Sequence, residues 1–206
     1  MVFSYRTIEG SSEGSYKEKG SKFFGFAYPV QSEDEVKLRI NELKKKYFDA
    51  RHHCFAYVLG PDKKRFRAFD DGEPNHSAGD PILGQIRSKE LTNILIVVVR
   101  YFGGVKLGVG GLISAYKQAA EEALRTAIML EKEVQQQFIL EYDYNYTPEV
   151  MKLVKEFELE ITNQYFEEKC KMNVTIPLRM ADSFEEKTKL LNALGKNILY
   201  HKILLS

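Results

Sequence analysis

The sequence predicts an α+β protein of two separately folded domains, residues 1–133 and 136–206. Three observations lead there. Short apolar alternations of period two are interleaved with stretches whose apolar residues recur at helical spacing. The residues after about 136 resolve into a complete β-α-β-β-α-β order, the split βαβ or ferredoxin-like unit. At 44% hydrophobic and 29% charged residues, the 206-residue chain has enough apolar side chains to offset the entropy of ordering it.

The first domain opens with a polar, glycine-rich stretch, Glu9 to Lys22, expected to be a mobile hairpin or loop. Phe23 to Val30 reads as a strand. Ser32 with Glu35 makes a capping box, and Val36, Ile40, Leu43 and Tyr47 line one face of the helix it opens. Strands follow at His52 to Leu59 and about Arg65 to Phe69, then a loop, Asp70 to Pro81, and a short helix, Ile82 to Arg87. The apolar strand Ile94 to Arg100 feeds the glycine-rich run Gly103 to Gly111. A helix from about Leu112 to Met129 then turns Leu112, Tyr116 and several alanines inward, and Glu131 to Gln137 is a short polar linker expected to be partly helical.

In the second domain Phe138, Leu140, Tyr142 and Tyr144 alternate as a half-buried strand. Thr147 is placed as an N-cap with Pro148 at the first helical position, and Val150, Leu153, Val154 and Phe157 form the apolar face. Leu159, Ile161 and Tyr165 make a second strand, with a turn at Glu167-Glu168, and Cys170, Met172, Val174 and Ile176 a third. Asp182 with Glu185 has the spacing of a capping box for a helix through Leu194. Gly195 stops it, and Ile198 to Leu205 close the domain as a strand.

Charge is nearly balanced, +1 overall, with 21 basic and 18 acidic residues up to 133 and 9 and 11 beyond it. That is far from the basic excess that announces nucleic-acid binding by itself. The two cysteines, Cys54 and Cys170, fall one in each domain without a CxxC pair, so neither a disulfide framework nor a disulfide-linked partner is expected. The longest apolar run, Ile94 to Val99, is too short to cross a bilayer, and no signal-peptide pattern opens the chain. A reducing cytoplasm and no membrane partner are the expected setting.

Three segments could carry chemistry. In RYFGGVKLGVGGLISAY, residues 100 to 116, a strand feeds five glycines in nine positions, which open into a helix. Glycine permits positive φ and close approach of backbone N–H groups to an oxyanion, and a helix N-terminus favours negative charge. Arg100 and Lys106 could neutralise a phosphate there, and Tyr101 and Phe102 could stack on a base. Neither a Walker A motif nor GxGxxG is present, and a tight turn without a ligand is the competing reading.

The loop FDDGEPNHSAGDP, residues 69 to 81, gathers Asp70, Asp71, Glu73, His76 and Asp80. Such carboxylates suit hard cations or acid–base work, but Asp-Gly and Glu-Pro are ordinary turn chemistry, and a structural or helix-capping loop is favoured. In RHHCFAY, residues 51 to 57, His52 and Cys54 share one strand face and Arg51, His53 and Phe55 the other. Two ligand types without a companion pair do not make a zinc site, and Cys54 reads as a small buried residue. No metal and no cofactor are expected. Short basic clusters, Lys44 to Lys46 and Lys63 to Arg65, could join Arg51, Arg67, Arg87, Arg100 and Lys106 in one basic surface.

Together HHCFAYVLG, FDDGEPNHSAGDPILGQI and VVVRYFGGVKLGVGGLISAY resemble the signature of the IMPACT family, called YigZ-type in bacteria, over roughly residues 17 to 128. The resemblance implies a first domain like the second domain of a small-subunit ribosomal protein and domain IV of elongation factor G, and a second domain like domain V of that factor. It implies a role linked to translation, because eukaryotic relatives regulate initiation by competing for an activator of a starvation-sensing kinase. Bacterial-type members have no settled activity. Carried onto this chain, the family motif falls on His53, Asp70, Asp71, Gly72, Glu73, Pro74, Gly79, Arg100, Tyr101, Gly103, Gly104, Gly108, Gly110 and Gly111. His76-Ser77 stands where many members have Gly-Thr, and Ser114 where a basic residue is common.

The expected function is a non-enzymatic protein that engages RNA, the ribosome or a translation factor. Its binding residues are placed at Arg51, His53, Asp70, Asp71, Glu73, Arg100, Tyr101, Gly103, Gly104, Lys106, Gly108, Gly110 and Gly111. The alternatives are an enzyme acting on a phosphorylated small molecule through the Asp70 loop, and a pure protein-interaction adaptor.

Overall fold

In the computed structural model, which describes residues 1–203, the chain divides into two compact units between Lys132 and Glu133. The first unit is built on a five-stranded antiparallel sheet in the order β2-β3-β6-β4-β5. Its strands are β2 (Ser12–Glu18), β3 (Ser21–Pro29), β4 (His52–Leu59), β5 (Arg65–Phe69) and β6 (Ile94–Tyr101). Helices α2 (Gly79–Ser88) and α3 (Gly108–Arg125) pack on one face, over Phe23, Ala27, Cys54, Ala56, Ile94, Ile96 and Val98. Helix α1 (Glu33–Lys46) lays Val36, Ile40 and Leu43 on the other, against Phe26, Phe55, Tyr57, Leu95, Val97 and Val99. Alternate residues of β4 and β6 therefore feed two different cores, so both strands read as continuous apolar runs.

Small residues set the fit between α3 and the sheet. A Cβ added at Gly14 or Gly25 would lie 2.4 Å from the backbone of Glu122 or Ala119, which explains glycine on two adjacent strands beneath an alanine-rich helix. Ser32 caps α1, its hydroxyl accepting from the Glu35 N–H, while the Glu35 carboxylate accepts from the N–H of Gln31.

Two strands lie outside the sequence expectation. β1 (Ser4–Ile8) and β7 (Met129–Glu133) pair as a two-stranded sheet, so the segment expected to continue the α3 helix or form a helical linker is extended. The glycine-rich stretch from Glu9 to Lys22 supplies β2 and its turn into β3, an ordered edge strand. Both α2 and α3 begin three to four residues earlier than the apolar periodicity suggests, at Gly79 and Gly108.

The second unit follows the order β8 (Gln135–Tyr142), α4 (Thr147–Glu156), β9 (Glu160–Phe166), β10 (Cys170–Pro177), α5 (Ala181–Ala193), β11 (Ile198–Ile203). Its antiparallel sheet runs β11-β8-β10-β9. Phe138, Leu140, Tyr142, Cys170, Met172, Val174 and Ile176 meet Val150, Leu153 and Phe184 from the two helices in one core. Three local expectations are corrected. Tyr144 lies in a 3-10 turn beyond β8, and that turn makes Tyr146, not Thr147, the cap of α4. A second 3-10 turn, Leu178–Met180, leads into α5 at Ala181, so Asp182 sits inside the first turn rather than capping it. Leu204 and Leu205, expected in the last strand, lie outside the described residues.

Candidate functional site

The glycine-rich segment leaves the sheet at the end of β6. Arg100 and Tyr101, adjacent in sequence, go to opposite faces. Arg100 turns toward α3 and is buried. Its Nη1–H donates to Glu73 Oε1 at 2.6 Å, and the Tyr116 hydroxyl of α3 donates to the same oxygen at 2.7 Å. The Cys54 thiol lies 2.9 Å from the Asp70 carbonyl oxygen and 3.3 Å from the Tyr116 hydroxyl. The guanidinium is held between two rings, 5.5 Å from the centroid of Phe23 and 5.7 Å from that of Phe102. One loop, one strand and one helix are thus tied together by a polar cluster that has left solvent.

This cluster does not fit a nucleophile. Burial pushes the Cys54 thiol up, well above its ordinary value. Burial is also the first cause that raises the Tyr116 phenol, with the neighbouring Cys54 and Glu73 adding to it. Both groups stay protonated and donate hydrogen bonds.

Every carboxylate of the loop from Asp70 to Asp80 has an internal partner. Asp70 accepts from the N–H groups of His76, Ala78 and Gly79 at 2.8 to 2.9 Å, which caps the start of α2 from outside the helix. Asp71 Oδ2 accepts from the His53 N–H at 2.7 Å, and the Asp71 carbonyl lies 2.9 Å from His52 Nδ1. Asp80 meets His76 Nδ1 at 2.7 Å. Asp71, Gly72 and His76 all have positive φ, the backbone signature of a tight, specified loop. Among the described residues no group of three or more His, Cys, Asp and Glu side chains is placed to hold a metal ion.

On the α1 face, His53 is buried and its imidazole is held below the usual histidine range, mainly by desolvation. The Tyr101 hydroxyl donates to Asp49 Oδ1 at 2.6 Å, and this bond pushes its pKa up to about 12. Arg51 is exposed just before β4.

Beyond Tyr101 the chain turns outward. Gly103 crosses the β2–β3 turn so closely that a Cβ on it would lie 1.9 Å from the Gly20 backbone, and its N–H donates to the Ser21 hydroxyl. Gly104 and Gly108 have φ of +87° and +72°. Helix α3 starts at Gly108 without a side-chain cap. The surface of this segment is apolar: Phe102, Val105, Val109 and Ile113 are 53%, 52%, 52% and 40% exposed. Lys106 is the one cation between Tyr101 and Ser114, and it is exposed.

The structure therefore splits the residues singled out from the sequence. Asp70, Asp71, Glu73, Arg100 and His53 form the internal brace, while Gly103, Gly104, Lys106, Gly108 and Gly110 lie on the surface with Gly111 half-buried behind them. Tyr116 and Cys54, read from the sequence only as buried residues, belong to the brace. The exposed Val105, Val109 and Ile113 went unnoticed; Val109 and Ile113 lie one turn apart once α3 is extended back to Gly108, and Val105 lies in the turn before it.

An Asp-Asp-Gly-Glu-Pro loop locked onto an Arg-Tyr-Phe-Gly-Gly strand end, inside a two-unit α+β chain, defines the class of protein. The profile of the Impact N-terminal domain matches residues 19–124. The IMPACT family member YvyE of Bacillus subtilis is 31% identical over 186 residues, 90% of this chain and 86% of that protein. YigZ of Escherichia coli, another IMPACT family member, is 32% identical over 171 residues, 82% and 84% of the two chains. A crystal structure described as that of a hypothetical protein aligns over the full length of both chains with a TM-score of 0.76 at 27% identity. The chain belongs to the IMPACT family.

Proposed function

We propose that this chain is a non-enzymatic regulatory protein of the translation machinery, and that it engages a protein component, a translation factor or ribosomal protein, through the outer face of the glycine-rich segment. The translation link rests on family membership and on what the family resemblance implies. The observation that supports the site is the exposed stripe Phe102, Val105, Val109 and Ile113, displayed on a turn that buried hydrogen bonds hold in place. Four exposed apolar side chains within twelve residues of a braced turn suit a protein interface better than a phosphate backbone, because only Lys106 offers charge there. The glycines leave the backbone open to close approach, and a pre-formed turn lowers the ordering cost of binding. An enzymatic role has less support: the thiol and phenol nearest the Asp70 loop are buried and protonated, and its carboxylates are already used within the protein.

The test is co-sedimentation of the full chain with ribosomes, with and without translation factors, at stepped salt. Val105→Glu with Val109→Glu is expected to weaken association about tenfold or more, with a shallow salt dependence in the wild type. Lys106→Glu is expected to have a small effect. Unchanged association in the valine double variant, or no association by the wild type at any salt, overturns the reading.

A further inference from the structure

We infer that the free edge of the five-stranded sheet, at β5, is a binding surface for single-stranded RNA, separate from the glycine-rich segment and independent of the function proposed for it. β5 is the last strand of the sheet, paired only with β4, and four of its five residues, Arg65, Phe66, Arg67 and Phe69, are exposed. The sequence places Lys63 and Lys64 just before it, and the fold brings Arg87 to it from the end of α2. The guanidinium of Arg87 lies 4.4 Å from the centroid of the Phe66 ring, and that of Arg67 lies 5.6 Å from the centroid of Phe69. Lys63 Nζ donates to the Glu90 carbonyl at 2.8 Å, which ties the turn before β5 to the end of α2.

Lys63, Lys64, Arg65, Arg67 and Arg87 bring five cations to this edge, of which Lys64 pairs with Asp62 at 3.7 Å. Among the described residues neither Arg67 nor Arg87 forms an ion pair, and each rests on a phenyl ring. Phe66 faces the α2 side of the sheet edge and Phe69 the α1 side, so the basic strip wraps around the edge.

Charge and ring chemistry together choose the partner. A phosphate backbone is complementary to the excess positive charge, and half-exposed rings offer stacking surface to bases, the combination used by sequence-tolerant single-strand binders. Charged residues on an edge strand also prevent sheet-to-sheet association. Arg65 and Arg67 would suffice for that. The guard role does not account for Phe66, 49% exposed, with a second arginine brought over it from another element.

The probe is a fluorescein-labelled 12-mer of oligouridylate, with anisotropy read on the full chain at several salt concentrations. Arg67→Glu with Arg87→Glu is expected to weaken binding at least about tenfold and to flatten the logarithmic salt slope by about 1.4, two phosphate contacts at ~0.7 each. Arg67→Lys with Arg87→Lys should keep the slope and lose only a few-fold in affinity, through the stacked planar group. Val105→Glu with Val109→Glu should bind the oligomer as the wild type does. Three results would overturn the assignment: no wild-type binding in 50 mM salt, loss confined to the valine variant, or capture of a poly-glutamate peptide with no binding of the oligomer. Since all four residues are exposed, an unchanged melting temperature accompanies each variant if the assignment holds.

Discussion

The two ends of the segment from Arg100 to Ile113, taken with the residues each end meets, obey opposite rules. At the β6 end the residues are polar and buried: Arg100 Nη1 and the Tyr116 hydroxyl both donate to Glu73, Cys54 lies beside Tyr116, and among the described residues Arg100 Nε has no partner. At the α3 end they are apolar and exposed: Phe102, Val105, Val109 and Ile113. In each region the side chains sit where transfer free energy alone would not put them. A buried ion pair adds little net stability compared with an apolar replacement, but removing one partner is costly, so such a pair fixes geometry more than it adds energy. The contrast suggests a division of labour in which the inner cluster holds the strand end, loop and helix in register and the outer stripe makes contact.

That comparison can be broken by substitution. Gly103→Ala should have the largest effect, because its Cβ would overlap the Gly20 backbone at 1.9 Å and the loop would have to leave the β2–β3 turn. A stability loss above about 4 kcal/mol in denaturant titration is expected. Next comes Glu73→Gln, which leaves the Arg100 charge buried without its counter-charge and should cost about 3–5 kcal/mol. A loss under about 1 kcal/mol would mean the cluster is not the brace.

Gly110→Ala sharpens the contrast from the other side. Nothing lies within 4 Å of the Cβ it would carry, and the position is in the first turn of α3. It should leave stability unchanged or raise it by about 0.5–1 kcal/mol, while reducing partner binding through the added methyl group.

The smallest effect concerns pH. Burial lowers the pKa of His53 from its ordinary 6.5, with Lys44 and His52 acting in the same direction and Asp71 against. A depressed folded pKa gives stability that is complete above 6.5 and is lost as pH falls through the folded value. The melting temperature should therefore decline below pH 6.5, and His53→Gln should show a shallower decline over that window.

How much of this was legible depended on which physical signal each element carries. The Ser32–Glu35 box and the alternation of Cys170, Met172, Val174 and Ile176 announced their elements, because side-chain chemistry and burial there agree. β2 was legible only as one arm of a hairpin that the sequence could not tell from a loop. Its burial alternates with period two, but the inward positions are Ser12, Gly14, Tyr16 and Glu18, dictated by close approach of α3 rather than by hydrophobicity. The caps expected at Thr147 and Asp182 failed for a common reason: each helix is entered through a 3-10 turn whose backbone already leads into the first turn. Thr147 instead donates to the Tyr144 carbonyl, and Glu185 accepts from Tyr200 and Lys202.

At the candidate site, motif residues were recognisable as a set, but their roles were not. Whether Arg100 meets solvent or Glu73 depends on a loop 27 residues upstream, a tertiary fact with no local signature. The same holds for Arg87, whose place over Phe66 follows from how α2 packs beside β5.

The division of labour is tested most directly by measuring stability and ribosome association side by side for Glu73→Gln and for Val105→Glu with Val109→Glu. The account predicts a double dissociation. Glu73→Gln should unfold at much lower denaturant, yet bind normally under conditions where it remains folded and the turn is held by its other contacts. The valine variant should melt like the wild type and bind at least about tenfold more weakly. Normal binding by the valine variant, or equal loss of stability in both, would contradict it.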